Sequence, residues 1–301
     1  MSFNIKSFGK ILISGEYFIL KGSKGLSIPV KFSQVLEVNE TNSNFFEWQS
    51  FDDKNQIWYS IKFKLLDLNN KNKYNNSLLF DIVQNIEKLN PGVITKKKGI
   101  SFKTKMDFNP SWGLGSSSTL IYNLSKWAEV NPFDLYWSVT NGSGYDLASC
   151  KFDKPITYQL IDPGTPKYKS VNFLPDFHKN LFFVYLGKKQ SSKTEIEYFN
   201  KLIFSSKAVS EISDITDKML EKNSISSFKK LIIEHENILS KTLNKKTIKK
   251  EKFIDFDGEI KSLGAWGGDF ILALGNENSK DYFKGKGYKI IFSFDEMLKN
   301  T

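Results

Sequence analysis

The chain has one cysteine, Cys150, and two histidines, His178 and His235, among its 301 residues. A single thiol rules out an internal disulfide framework and fits a reducing cytoplasm, the expected location. Two isolated histidines, neither with metal-ligand spacing around it, leave no Ser-His-Asp or Cys-His set to argue for. Both read as surface or packing residues. Long apolar runs are missing too: "LFFVYL" at 181–186 falls far short of the roughly 18 residues a membrane-spanning helix needs, so no membrane partner is expected. Lys10 and Glu16 interrupt the apolar stretches near the amino end, and no small-residue cleavage pattern follows, which argues against a signal peptide. No repeat and no low-complexity linker divides the chain.

What is present is enough apolar material, 40% of residues with 15% aromatic, to bury a large core divided between two domains. Basic side chains outnumber acidic ones by 43 to 33, a net charge of +10. Such a surplus attracts nucleic acid, an anionic membrane surface, or a phosphorylated or carboxylated small molecule. Composition alone does not choose. Much of the surplus sits in short clusters, "TKKKG" at 95–99 and "NKKTIKKEK" at 244–252, which read as solvated faces. With no aromatic-basic recognition motif, no nucleic-acid partner is expected, and a small anionic substrate is.

Strands alternate with helices along the chain. Residues 10–14 and 26–37 read as strands, and "FFEWQSF" and "QIWYSIKF" as two β-rich segments joined by the polar turn "DDKN". The spacing of Leu78, Leu79, Ile82, Ile86 and Leu89 predicts a helix ended by Asn90, Pro91 and Gly92, with a strand at about 100–105. Segments 117–130 and 132–150 read as consecutive helices, "PITYQLI" and "LFFVYLG" as strands, and 192–248 as mostly helical. "DFILALG" and "YKIIFSF" read as buried strands. The pattern predicts two α+β domains, 1–170 and 171–301.

Residues 109–119, "NPSWGLGSSST", precede "LIYNLSKW", where the chain enters a helix. A glycine-rich turn running into a helix exposes unpaired backbone N–H groups, admits a ligand close to the chain, and points the positive end of the helix dipole at it. That suits a phosphate, and serine hydroxyls there can cap the helix, bind phosphate oxygens or reach Mg2+. Taken alone, the pattern reads equally well as a glycine-containing loop with a serine N-cap. It is not a Walker A loop, because no Gly-Lys-Ser/Thr closes it.

"FGKILISGEYFIL" at 8–20, "PSWGLGSSSTL" at 110–120 and "SLGAWGGDFILAL" at 262–274 resemble, in order and spacing, the three motifs of the GHMP kinases. That family includes galacto-, homoserine, mevalonate and phosphomevalonate kinases. "NGSGYDLAS" at 141–149 resembles the segment of the phosphomevalonate-kinase branch, and more closely the tag of the bacterial GYDIA family, which has isoleucine at the position of Leu147. The resemblance covers nearly the whole chain. It implies an α+β, two-domain GHMP kinase fold: a ribosomal protein S5 domain 2-like N-terminal domain that binds ATP, and a ferredoxin-like C-terminal domain.

The resemblance also implies ATP and Mg2+ as cofactors and a set of roles. Phosphoryl transfer needs a held triphosphate, a neutralising cation, and an acceptor hydroxyl placed in line and relieved of its proton. Gly113, Leu114, Gly115, Ser116, Ser117 and Ser118 match the phosphate-binding loop, with the Ser117 hydroxyl on Mg2+. Preorganised donors of this kind are worth roughly a hundredfold to a thousandfold in rate each. Asp146 matches the general base beside the acceptor hydroxyl; alone, it would read as a turn or capping aspartate next to Gly144. Lys10 matches the lysine near the transferred phosphate. Glu16, Tyr17, Tyr145, Trp266, Gly267 and Gly268 match positions that line the acceptor pocket or pack under it.

Three further segments bear on the comparison. The family's glycine-rich third motif is replaced in part by Trp266 and Asp269. Mevalonate kinases carry a magnesium-binding glutamate eleven residues before the base, where this chain has Leu135; Glu129 and Asp134 lie nearby, and neither is assigned. "GKKQSSKTEIEYF" at 187–199 fits a hydroxyl- and lysine-rich loop opening a helix, which alone would be an N-cap with Glu195 in the first turn. The expected function is an ATP-dependent kinase for mevalonate or phosphomevalonate in isoprenoid biosynthesis. A homodimer is compatible with this reading. The alternatives are a catalytically inactive GHMP-fold ligand-binding protein and, third, a basic nucleic-acid-binding protein.

Overall fold

The structure, a computed structural model, describes residues 2–69, 78–162, 164–188, 192–202 and 204–299. Its first half contains β1 (Ser2–Ser14), β2 (Gly25–Thr41), β3 (Phe45–Phe51), β4 (Ile57–Lys64), α1 (Leu78–Leu89), β5 (Gly99–Met106), α2 (Ser116–Trp127), α3 (Pro132–Val139) and α4 (Tyr145–Cys150). Then follow β6 (Ile156–Asp162), β7 (Thr165–Ser170), β8 (Leu181–Tyr185), α5 (Ser192–Asn200), α6 (Ser206–Leu220) and α7 (Ile225–Leu243). The last are α8 (Ile248–Lys252), β9 (Glu259–Ser262), β10 (Phe270–Leu274), α9 (Ser279–Gly285), β11 (Ile291–Ser293) and α10 (Phe294–Met297). The chain forms two compact units. One comprises Met1–Gly9, Phe32–Pro110 and Gly115–Lys151, and the other Lys10–Lys31, Ser111–Leu114 and Phe152–Thr301. β1 and β2 contribute residues to both.

In the first unit the strands run β4-β3-β5-β2, with β3 parallel to β5 and the other pairs antiparallel. Alternation along "FFEWQSF" buries Phe46, Trp48 and Ser50 on one face of β3. Phe46 stacks on Phe63 at 4.6 Å, Trp48 stacks on Phe102 at 5.1 Å, and Trp127 meets Phe102 edge-on at 5.0 Å. Leu79, Ile82, Val83 and Ile86 of α1 and Ile121 and Leu124 of α2 complete this core. Each such side chain contributes about 1.5–3 kcal/mol by burial. Asn131 caps α3 by accepting the Phe133 N–H, with Pro132 in the first turn. The helix expected over 132–150 is two helices: α3 stops at Val139, and Gly144, at φ 85°, starts α4 afresh.

In the second unit Gly25–Ser27 of β2 pairs with β6, which pairs in turn with β7. A separate antiparallel sheet has the order β11-β8-β10-β9. Its core holds Phe182, Val184, Ile260 and Ile271 against Ile248, Phe253, Phe256 and Phe283. The strand expected at 288–294 shrinks to the half-buried Ile291–Ser293, because the Ser293 hydroxyl accepts the Glu296 N–H and caps α10. α7, opened by a capping box at Ser224 and Ser227 and closed by Asn244 at φ 51°, packs against α6 and β9. No helix among the described residues is long and apolar enough to cross a membrane.

Candidate active site

The glycine-rich segment enters α2 as its sequence demands. Gly113 and Gly115 have φ values of 70° and 90°, a region that costs any residue with a Cβ. Gly115 is the N-cap of α2, and no side chain caps the helix. The first-turn N–H groups at Ser116, Ser117 and Ser118 are therefore left without the usual side-chain acceptor. Ser117 is exposed, Ser116 half-buried and Ser118 buried.

In the first unit, Ser118 and Asp146 come together. The Ser118 hydroxyl donates to Asp146 Oδ2 at 2.6 Å, the Leu147 N–H donates to Oδ1 at 3.0 Å, and the Tyr136 hydroxyl also bonds the carboxylate. Burial, and then the Asp146 charge, hold the Tyr136 phenol well above its ordinary pKa, so it remains a donor. Three donors thus surround an acceptor-only carboxylate. Tyr145 is half-buried, its carbonyl accepting the Ser149 hydroxyl at 2.8 Å. Leu135 is 0% exposed in the apolar core, so no ligand reaches that position, while Glu129 and Asp134 are exposed.

In the second unit, the segment Ser111–Leu114 is fixed from several sides. The Lys10 N–H donates to the Leu114 carbonyl at 3.0 Å, and the Tyr185 hydroxyl donates to the Ser111 carbonyl at 3.1 Å. The Trp112 ring packs against Tyr185, Phe270 and Phe292. Lys10 itself is 9% exposed. Gly113 has the Asp269 carboxylate beside it, and a Cβ there would collide with that group.

The third motif turns tightly, the Gly268 N–H donating to the Ala265 carbonyl at 3.2 Å, with open space around Gly267. Trp266 is 5% exposed, and its indole Nε1 has no hydrogen-bond partner among the described residues. Its backbone N–H donates to the Tyr17 hydroxyl at 2.7 Å, and that hydroxyl donates to Glu195 Oε2 at 3.1 Å. Tyr17 adopts φ 61°, and burial, with Glu195 adding to it, pushes its phenol far above the ordinary range. Lys189, Gln190 and Ser191 of the hydroxyl- and lysine-rich segment lie outside the described residues.

Glu16 is buried in a charge cluster. Lys261 Nζ lies 2.6 Å from its Oε1, and His235 Nε2 lies 3.2 Å from its Oε2 while accepting the Gly15 N–H. Burial alone would raise the Glu16 pKa; the Lys261 charge foremost outweighs it and holds the carboxyl below its ordinary value. His235 lies on the buried Phe228, Leu231, Ile232, His235, Leu239 stripe of α7 and spends its Nε2 on the Gly15 N–H beside Glu16. Lys261, the partner of Glu16, lies on the wholly buried β9, which no periodicity in the sequence marks.

ATP with Mg2+ fits these residues. The helix end is uncapped, and Gly115 leaves its first turn free of a capping side chain, as phosphates need. Among the described residues no group of three or more His, Cys, Asp or Glu is placed to hold a metal ion.

No protein-family model matches the chain. A mevalonate kinase from Methanocaldococcus jannaschii is 23% identical over 299 residues, covering 92% of this chain and 93% of the relative. The crystal structure of the Methanococcus jannaschii mevalonate kinase matches with a TM-score of 0.71 at 20% identity, covering 97% of each chain. Streptococcus pneumoniae phosphomevalonate kinase, solved with phosphomevalonate and AMPPNP, gives 0.69 at 16% identity over 96% of this chain and 99% of its own. Lactococcus lactis galactokinase, complexed with galactose, gives 0.68 at 13% identity over 99% of this chain and 93% of its own. The chain has the α+β fold of these kinases.

Proposed function

We propose that this chain is a GHMP-type, ATP- and Mg2+-dependent kinase that transfers the γ-phosphoryl group to mevalonate or phosphomevalonate in cytoplasmic isoprenoid biosynthesis. Its ATP-binding domain is 1–170 and its ferredoxin-like domain 171–301. The observation that carries the proposal is the 2.6 Å hydrogen bond from Ser118 to Asp146, which ties the candidate base to the first turn of a helix whose amino end is uncapped. ATP and Mg2+ supply the transferred group and the neutralising charge. The backbone of Gly113, Leu114, Gly115, Ser116, Ser117 and Ser118 would hold the phosphates, and the Ser117 hydroxyl the cation. Asp146 accepts the proton of the acceptor hydroxyl, oriented by Ser118, Leu147 and Tyr136. Lys10 offsets the negative charge of the transferring group. Tyr17, Tyr145 and Trp266 give the acceptor flat apolar surface that suits a short branched acid better than a sugar, with Glu16, Gly267 and Gly268 beneath and around them. The mevalonate kinase homologue and the phosphomevalonate kinase neighbour support that class.

An ADP-release assay with mevalonate, phosphomevalonate, homoserine and galactose tests this directly. One of the first two should give the highest kcat/KM, and Asp146→Asn should lower turnover roughly a hundredfold or more while ATP binding persists. Preferred turnover of galactose or homoserine would overturn the isoprenoid assignment. Binding of Mg-ATP with no turnover of any acceptor would point to a ligand-binding protein.

A further inference from the structure

Tyr17 holds a φ of 61°, a conformation that costs an aromatic residue energy and persists only where its surroundings over-determine it. Two parts of the second unit do so. From α5, the Phe199 ring packs against the Tyr17 ring at 5.3 Å, and Glu195 Oε2 accepts the Tyr17 hydroxyl proton at 3.1 Å. From the third motif, the Trp266 N–H donates to the same hydroxyl at 2.7 Å. Lys245 Nζ, 3.5 Å from Glu195 Oε2, balances the carboxylate charge and lies over the Tyr198 ring. A phenol has one proton to give; with Glu195 taking it, the oxygen lone pairs are left to face Trp266. Burial foremost, with Glu195 adding to it, keeps the phenol far above its ordinary pKa, so this donor persists at neutral pH.

The third motif offers few side chains to hold it in place. Gly264 and Gly267 adopt φ values of 71° and 78°, nothing stands within 4 Å of a Cβ placed on Gly267, and the Trp266 indole Nε1 makes no hydrogen bond among the described residues. The attitude of the Trp266 ring is therefore set through its backbone, and that backbone is bonded to Tyr17. We propose that Glu195 is a positioning residue for the acceptor site: by fixing the direction of the Tyr17 hydroxyl it holds the Trp266 backbone, and with it the indole face offered to the acceptor. This rests on the kinase reading above. Glu195 acts on the acceptor only through Tyr17, and the Tyr17 hydroxyl, bonded on both sides, is spent on the third motif rather than on substrate.

Steady-state kinetics of the full chain, with whichever of mevalonate and phosphomevalonate is the better acceptor, tests the assignment. Glu195→Ala should raise the acceptor KM about tenfold, the worth of one hydrogen-bonded link, while kcat and the KM for ATP move less than about threefold. Glu195→Gln keeps an oxygen that can accept the Tyr17 proton and should return the acceptor KM to within about threefold of wild type. Tyr17→Phe should raise the KM at least as much as Glu195→Ala, and the two changes together should be no worse than Tyr17→Phe alone, because both break one path. Effects that multiply, an alanine variant with the wild-type KM, or a glutamine variant that behaves like alanine would overturn the inference. A second measurement needs no acceptor: in Glu195→Ala the Trp266 N–H should exchange with solvent at least about tenfold faster, while Ile271 and Leu272 of β10 keep their wild-type rates. Unchanged exchange at Trp266 would also overturn it. Wild-type protein that turns over neither acceptor removes the kinase reading instead, and the exchange at Trp266 then decides whether Glu195 holds the turn.

Discussion

Lys261 has no exposed surface, and its ammonium sits 2.6 Å from a glutamate 245 positions away in the chain. Lys261→Met leaves a buried carboxylate with His235 alone, and breaking such a pair costs about 3–5 kcal/mol. The melting temperature should drop by roughly 10 °C for a chain of this size, measured by calorimetry at neutral pH. The pH dependence has a definite sign. Glu16 is held below its ordinary pKa in the folded state, so its contribution is complete above the ordinary carboxylate range and is lost as pH falls through the folded value. The stability gap between wild type and Glu16→Gln should therefore shrink on acidification; a gap that widens would contradict the ion pair. Trp266 is a second residue whose burial changes the expectation. Trp266→Gly should broaden the acceptor profile but also destabilise by about 3–5 kcal/mol, so turnover must be compared at a temperature where both proteins remain folded.

Among the elements, α2 bears most directly on the proposed nucleotide site. Gly115→Val places a β-branched residue at φ 90° at the helix start, costing about 1–2 kcal/mol or more. The rise in melting temperature that Mg-ATP gives the wild type should disappear in this variant. A variant that keeps the full rise would remove the loop from nucleotide binding. The long amphipathic helices and the apolar strands were legible because their periodicity is local: Leu79, Ile82 and Ile86 for α1, and "FILAL" for β10. β7, "TPKYKS", is not among the expected strands: it carries a proline and lysines, and in the fold it is largely exposed. β9, "EIKS", is wholly buried yet half charged, since its lysine is neutralised by Glu16, which no local pattern can reveal. The break between α3 and α4 was present in the sequence as Gly142 and Gly144, and the apolar residues on either side outweighed it.

For the whole molecule, charge is carried in a single chemical form. The sequence holds no arginine, so all 43 basic side chains are lysines, compact and strongly hydrated point charges without the planar fork that grips phosphate in pairs of bonds. Recognition of the proposed anionic acceptor would then lean on long-range attraction and on backbone N–H groups. Raising ionic strength from about 0.01 M to 0.15 M should lower kcat/KM several-fold, mainly through KM; an unchanged KM would show that the surplus charge is not steering substrate. The motif strings carried the likeness to the GHMP kinases from the sequence alone, because phosphate binding and proton removal constrain short contiguous runs. The companions of those runs, Ser118 for Asp146 and Lys261 for Glu16, became visible only once the chain was folded. The burial of Lys261 has a practical corollary in protein chemistry. If the folded protein is exhaustively acylated on its amines, then denatured and digested with trypsin, every modified lysine resists cleavage and there is no arginine to cut. Lys10 and Lys261 are the lysines that are buried among the described residues, so the digest should reduce the chain to a few large fragments ending at those two positions, and additional cuts would mark, lysine by lysine, where the fold shields its amines from reagent.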